Sequence, residues 1–113
     1  MQIIGIGVDI VEIKRIKKLD AKKRLAEFFF LKDELEIMNR SKNKEQYLAS
    51  RIACKEAVIK AFPGTLHYHD FKIYKKGKKL DVSFIDKKNI KYKVFLSTSH
   101  EFNHAISYAI MTL

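Results

Sequence analysis

The sequence predicts an α+β fold, with helices packed on a mainly antiparallel sheet. Three observations carry that expectation. An apolar run, IIGIGVD at residues 3–9, opens the chain as a strand. Apolar residues at helical spacing then dominate as far as residue 62. Beyond Pro63-Gly64 the pattern changes to short strands separated by turn-like residues. With 113 residues, 47% of them hydrophobic, and one proline and four glycines, the chain suits a single domain over 1–113. The same figures exclude a disordered or collagen-like chain.

In the first strand Ile4, Ile6 and Val8 share one face, and Ile3, Gly5, Gly7 and Asp9 the other. The glycine face is shallow, so a helix or a ligand can approach its backbone. A short helix is expected over Val11 to Leu19, with Ile13, Ile16 and Leu19 inward and Lys14, Arg15, Lys17 and Lys18 outward. Further helical stretches fall at Ala21 to Phe28 and Lys32 to Arg40, and SKNK at 41–44 reads as a break. The strongest helix runs from Lys44 to Phe62. Its Ala49, Ala53, Ala57 and Ala61 recur every fourth residue, a ridge of small side chains that lets another element pack close. Leu48, Ile52 and Ile59 complete the buried face, and Pro63-Gly64 ends the helix. Strands follow at 70–75, 80–85, 91–97 and 104–112, with turns at Lys76-Gly77-Lys78 and Asp86 to Asn89.

Charge narrows the class of partner. The 23 Lys and Arg against 13 Asp and Glu give a net charge of +10, which draws in an acidic partner at long range. Residues 14–24 hold seven basic side chains against one acid, Asp20, and residues 72–93 hold nine lysines against Asp81 and Asp86. No apolar run is long enough to span a bilayer. The N-terminus places apolar residues first and basic ones after, the reverse of a secretory signal, so a cytoplasmic protein is expected. The single cysteine, Cys54, excludes an internal disulfide and a Cys-rich zinc site and suits a reducing compartment.

Two carboxylates stand where carboxylates are awkward. Asp9 ends an apolar strand, and Glu56 lies beside the alanine ridge. If the helix packs across the strand, the two meet. Two hard oxygen donors without Cys or paired His suit Mg²⁺, which keeps waters and takes further ligands from substrate phosphates. Arg51, Lys55 and Lys60 share the helix, and Lys60 stands one turn beyond Glu56, in reach of the same phosphate. Purely structural readings exist beside this one. Asp9 and Glu12 form D-x-x-E, a capping-box pattern for a helix starting near Ile10. Glu56 and Lys60 form an ordinary i, i+4 pair. Ser97-Thr98-Ser99-His100 ends a strand in a turn; without a G-x-S-x-G elbow it reads as a phosphate or ribose contact, or a hydrogen-bonded turn, rather than a nucleophile. His67, His69 and His104 lack ligand spacing, Gly5 and Gly7 lack the third glycine of a dinucleotide fingerprint, and Cys54 reads as a small core residue.

Three segments together resemble a known family. G-I-G-V-D-I-V-E-I-x-R-I at 5–16, A-x-R-x-A-x-K-E-A-x-x-K-A at 49–61 and S-x-S-H-E at 97–101 look like the motifs of the holo-[acyl-carrier-protein] synthases, small 4′-phosphopantetheinyl transferases. Order, spacing and length all fit. The resemblance implies transfer of the 4′-phosphopantetheine arm from coenzyme A to a serine of apo acyl carrier protein, with release of adenosine 3′,5′-bisphosphate. It implies Asp9 and Glu56 as Mg²⁺ ligands, Lys60 as a phosphate contact in the catalytic set, and Arg51 and His100 as coenzyme A contacts. It further implies Arg15 as the basic residue meeting the acidic carrier protein, and a homotrimer with sites between subunits. Departures are Phe62-Pro63-Gly64-Thr65-Leu66-His67 in place of a glycine-rich turn, Thr98 where isoleucine is common, and Leu31 where F-T-x-x-E has threonine.

The rival class is a small basic nucleic-acid-binding module, supported by the charge and by Tyr74, Phe84, Tyr92 and Phe95 among the lysine-rich strands. It leaves Asp9 and Glu56 unexplained, so nucleic acid is the less expected partner.

Overall fold

The computed structural model describes residues 1–19 and 21–113; Asp20, the one acid of the first basic stretch, lies outside the described residues. The order is β1 (Ile3–Glu12), α1 (Ile13–Lys17), α2 (Lys22–Phe29), α3 (Lys32–Asn39), α4 (Lys44–Ala61), a 3₁₀ turn (Tyr68–Asp70), β2 (Phe71–Lys76), β3 (Lys79–Phe84), a second 3₁₀ turn (Lys87–Asn89), β4 (Lys93–His100) and β5 (His104–Thr112). The five strands form one antiparallel sheet in the order β1-β5-β4-β3-β2. The α+β class with an antiparallel sheet is therefore as expected.

The architecture turns on one close approach. α4 starts at Asn43, whose side chain accepts a hydrogen bond from Gln46 N at 3.1 Å, and it lies across β1 and β5. All four alanines of its ridge are buried. They meet the glycine face of β1. A Cβ on Gly5 would lie 1.8 Å from the Ala61 carbonyl oxygen, and one on Gly7 would lie 2.0 Å from that of Ala57. No larger residue fits either position without moving helix from strand. Two apolar clusters complete the interior. One joins Ile13, Ile16, Phe29, Phe30, Leu48 and Ile52 near α1 to α4, and the other joins Val58, Leu66, Phe71, Ile73 and Met111 beneath the sheet.

A buried ion pair ties the layers. Lys55 Nζ lies 2.9 Å from Glu34 Oε1, with both side chains almost fully buried. Lys55 also donates to the carbonyls of Tyr68 and Phe71, while Glu34 accepts from Leu31 N and Ile73 N. Each charge thus has several polar partners, the condition under which burial of ions is tolerable.

Several sequence expectations change. β1 continues through Ile10 and Val11 to Glu12, where a helix start was expected, because it pairs with β5 as far as Glu12 opposite His104. Glu12 makes no side-chain cap, so the Asp9–Glu12 capping box does not form. α1 is correspondingly short, and Leu19, expected inward, is 42% exposed beyond its end. A register irregularity between Ile3 and Gly5 separates Ile4 from Ile6 and Val8: Ile4 packs on the second cluster, whereas Ile6, Val8 and Ile10 face out. β4 runs through His100, so Ser97 to His100 is strand rather than turn.

Candidate active site

The site lies where β1 passes beneath α4. From Gly5 to Glu12 β1 alternates without interruption, so Asp9 shares the helix-facing side with Gly7. Its side chain is 21% exposed and lies 3.3 Å from Lys60 Nζ, which also donates to Val8 O at 3.0 Å. Lys60 therefore reaches across to the strand and does not form the i, i+4 pair with Glu56. Glu56, one turn earlier on α4 and half-buried, accepts a 2.5 Å hydrogen bond from the Tyr68 hydroxyl. That bond, then burial, then the negative charges of Glu56 and Asp9 push the Tyr68 phenol up to about 12. β1 lays Gly5 against Ala61 and Gly7 against Ala57, so Asp9 comes next along the turn of α4 that carries Glu56. Tyr68 escaped the sequence reading, because its contact depends on how the segment after α4 folds back.

The other residues that the sequence singled out lie elsewhere on α4, on β4 and on α1. Arg51 is buried on α4, its guanidinium 4.7 Å from the centre of the Tyr47 ring and its Nε without a partner. A buried unpaired donor is costly, and an anionic ligand would satisfy it. His100 Nδ1 lies 3.1 Å from Gln46 Nε2, so the end of β4 touches the start of α4. A cleft of about 720 Å³ opens where β3 and β4 pair only at Leu80 and Leu96; Lys76, Lys78, Lys79, Ser97 and Thr98 line it together with one acid, Asp81. Arg15 is exposed on α1, away from these contacts, on the rim of an apolar groove of about 520 Å³ that Leu19, Leu25 and Phe29 line.

Other residues the sequence singled out serve the interior. Cys54 Sγ lies 3.0 Å from Ser107 Oγ, and burial pushes its thiol up, so it is a core residue and a poor nucleophile. Lys55 belongs to the Glu34 pair and is not free for a phosphate. Phe84 and Tyr92 pack on Phe62 in the second cluster and Tyr74 donates to Asp81; Phe95 is exposed, but one aromatic does not make the row a nucleic-acid surface would present.

Among the described residues no group of three His, Cys, Asp or Glu could cage a metal. Two carboxylates beside a lysine instead make an incomplete set of hard oxygen donors. Such a set fits Mg²⁺, which holds on to water and binds through one or two carboxylates together with substrate phosphates.

Comparison with known proteins places this geometry in a family. The description "4′-phosphopantetheinyl transferase superfamily" matches residues 5–109. The chain is 35% identical over 123 residues to the holo-[acyl-carrier-protein] synthase of Clostridium kluyveri, covering 96% of this chain and 90% of that protein. Its structure is similar to that of the Neisseria meningitidis holo-[acyl-carrier-protein] synthase, with a TM-score of 0.84 and 26% identity over 99% of this chain and all of that one. It is also similar to the Helicobacter pylori synthase in complex with coenzyme A, with a TM-score of 0.79 and 27% identity over 95% of this chain and 99% of that one. The chain belongs to the 4′-phosphopantetheinyl transferase superfamily, among the holo-[acyl-carrier-protein] synthases.

Proposed function

We propose that residues 1–113 act as one domain that transfers 4′-phosphopantetheine from coenzyme A to a serine of apo acyl carrier protein in the cytoplasm. The observation that carries the reading is the Asp9–Lys60 pair where β1 crosses α4, with Glu56 one turn before Lys60 on the same helix. In the reaction the serine oxygen forms a bond to the β-phosphorus of the diphosphate. The bond from that phosphorus to the bridging oxygen breaks, and adenosine 3′,5′-bisphosphate leaves. The serine proton passes to a carboxylate of the site or to water.

Asp9 and Glu56 would hold Mg²⁺. When bound, it offsets charge on the diphosphate and on the leaving bisphosphate. Lys60, freed from Asp9 by a better anion, would bind a phosphate oxygen. Arg51 would use its unpaired Nε on coenzyme A, and His100 would contact the same ligand. The lysine-lined cleft beside Ser97 supports an anionic ligand along that side. Arg15 and Lys18 on the rim of the apolar groove suit an acidic carrier protein, which would meet charge at the edge and apolar surface within.

The outer face of the sheet supports assembly as a homotrimer. Ile6, Val8 and Ile10 of β1, Ile106 and Tyr108 of β5, and Phe95 of β4 are between 43% and 60% exposed on adjoining strands. A patch of this kind marks an interaction surface.

Incubating the protein with apo acyl carrier protein, coenzyme A and Mg²⁺, followed by mass spectrometry, tests the activity. A phosphopantetheine mass gain on the carrier is expected, and its absence with a folded enzyme and a competent carrier overturns the reading. Light scattering tests the assembly; a monomer mass for active enzyme rules out the trimer.

A further inference from the structure

We propose that Tyr68 is a positioning residue that holds Glu56 as a one-oxygen ligand; the proposal rests on the reading of Glu56 as a metal ligand. Tyr68 is fixed at three points. Its ring lies 4.3 Å from that of Phe29 and 5.5 Å from that of Phe28, centre to centre, so it is wedged against α2. Its carbonyl accepts from the buried Lys55 at 2.7 Å. Its hydroxyl donates to Glu56 Oε1 at 2.5 Å. The turn that carries it is fastened on both sides. His67 N donates to Asp70 Oδ2 at 2.8 Å, and the His69 ring nitrogen Nε2 lies 2.9 Å from Glu27 O on α2.

A hydroxyl so anchored does more than fill space. A free glutamate on a helix turns among rotamers and can offer a cation one oxygen or two. With Oε1 held toward Tyr68, Oε2 is the freer oxygen and the one favoured for a cation. Mg²⁺ demands near-octahedral geometry, which a single carboxylate oxygen meets better than a chelating pair. Outer partners of this kind orient the ligand and set its affinity for the metal. The Glu34–Lys55 pair then acts at one remove, because it pins the carbonyl of the residue whose hydroxyl steers Glu56.

The test is a Mn²⁺ titration followed by electron paramagnetic resonance, on the whole protein with coenzyme A present and coenzyme A alone as the blank. Wild type is compared with Tyr68→Phe, Glu56→Gln and the double variant. Tyr68→Phe keeps the ring against Phe28 and Phe29, and its melting curve checks that it does. The expected result is a Mn²⁺ dissociation constant about tenfold higher for Tyr68→Phe, the low end of what loss of such an outer partner costs. Glu56→Gln should lose more, and adding Tyr68→Phe to it should cost nothing further. Wild-type affinity in Tyr68→Phe, with affinity lost in Glu56→Gln, overturns the positioning role while the ligand assignment stands. Wild-type affinity in both overturns the ligand assignment and the proposal with it. If Tyr68→Phe fails to fold, wild type with ring-labelled tyrosines replaces it: one of the five tyrosine signals should respond to Mg²⁺ added with coenzyme A, and five indifferent signals overturn the proposal.

Discussion

Helix α4 carries two lysine–carboxylate pairs five residues apart, and they are opposites. Lys55 and Glu34 meet at 2.9 Å with both side chains almost fully buried, and backbone groups satisfy what the pair leaves over. Lys60 and Asp9 meet at 3.3 Å, with Lys60 52% exposed and Asp9 21%. The first pair is closed: all three protons of Lys55 are engaged and both oxygens of Glu34 accept bonds, and desolvation makes either charge intolerable alone. The second is open: water screens it, and an incoming phosphate or cation can replace either partner at small cost. Lysine–carboxylate pairing thus makes a structural joint on the buried face of one helix and an exchangeable contact at its rim. Burial and hydrogen-bond saturation separate the two roles.

Breaking the closed pair should have the largest effect. Lys55→Met leaves Glu34 charged and buried, and we expect a loss of about 3–5 kcal/mol of stability, read from urea denaturation, with activity lost alongside. A loss below about 1 kcal/mol would mean that the pair is not the joint described. Next come the open carboxylates. Asp9→Ala and Glu56→Ala should each lower the transfer rate at least about a hundredfold, several kcal/mol of lost charge stabilisation, while circular dichroism stays that of wild type. Near-normal rates at limiting Mg²⁺ would remove these residues from the site. Arg15→Glu, far from both pairs, should raise the Michaelis constant for carrier protein about tenfold and leave that for coenzyme A nearly unchanged, with the gap shrinking as salt rises. An equal loss for both substrates would move Arg15 out of the docking surface. The smallest effect belongs to Lys60→Met. Its stability in urea denaturation should fall by less than about 1 kcal/mol, as for any exposed pair, while the Michaelis constant for coenzyme A rises. A large stability loss there would erase the distinction between the two pairs.

What the sequence made legible follows from local patterns. The alanine ridge of α4 and the glycine face of β1 are periodic features, and the two faces meet as their shallowness requires. Asp9 and Glu56 stood out as candidates because a carboxylate in an apolar setting breaks such a pattern. The end of β1 was not readable. Ile10 and Val11 suit a strand by alternation and a helix by spacing, and the choice is made by pairing with Ile106 and Ala105 far along the chain. The Glu34–Lys55 joint was hidden for the same reason: nothing near Glu34 in sequence marks it as buried. Lys60 was read as a phosphate contact near Glu56, yet its resting partners, Asp9 and the Val8 carbonyl, lie on another element. The contact of Gln46 with His100 likewise joins segments with no shared local signal.

The register of the sheet has a consequence for synthesis. Asp9 stands opposite Ser107, a partner roughly a hundred residues later, and β5 separates β1 from every other strand. During translation the first carboxylate of the site is made early but has no lateral neighbour until β5 emerges. Contacts so distant in sequence slow folding, because a long loop must close before they form. A nascent chain lacking β5 would hold β1 and α4 with no strand to bring them into the sheet, and apolar β1, an edge strand in the finished sheet, would be unpaired along both edges. Such an edge invites aggregation. Ribosome-stalled chains truncated before residue 104 should therefore be protease-sensitive, whereas release of the full sheet should confer resistance in a single step.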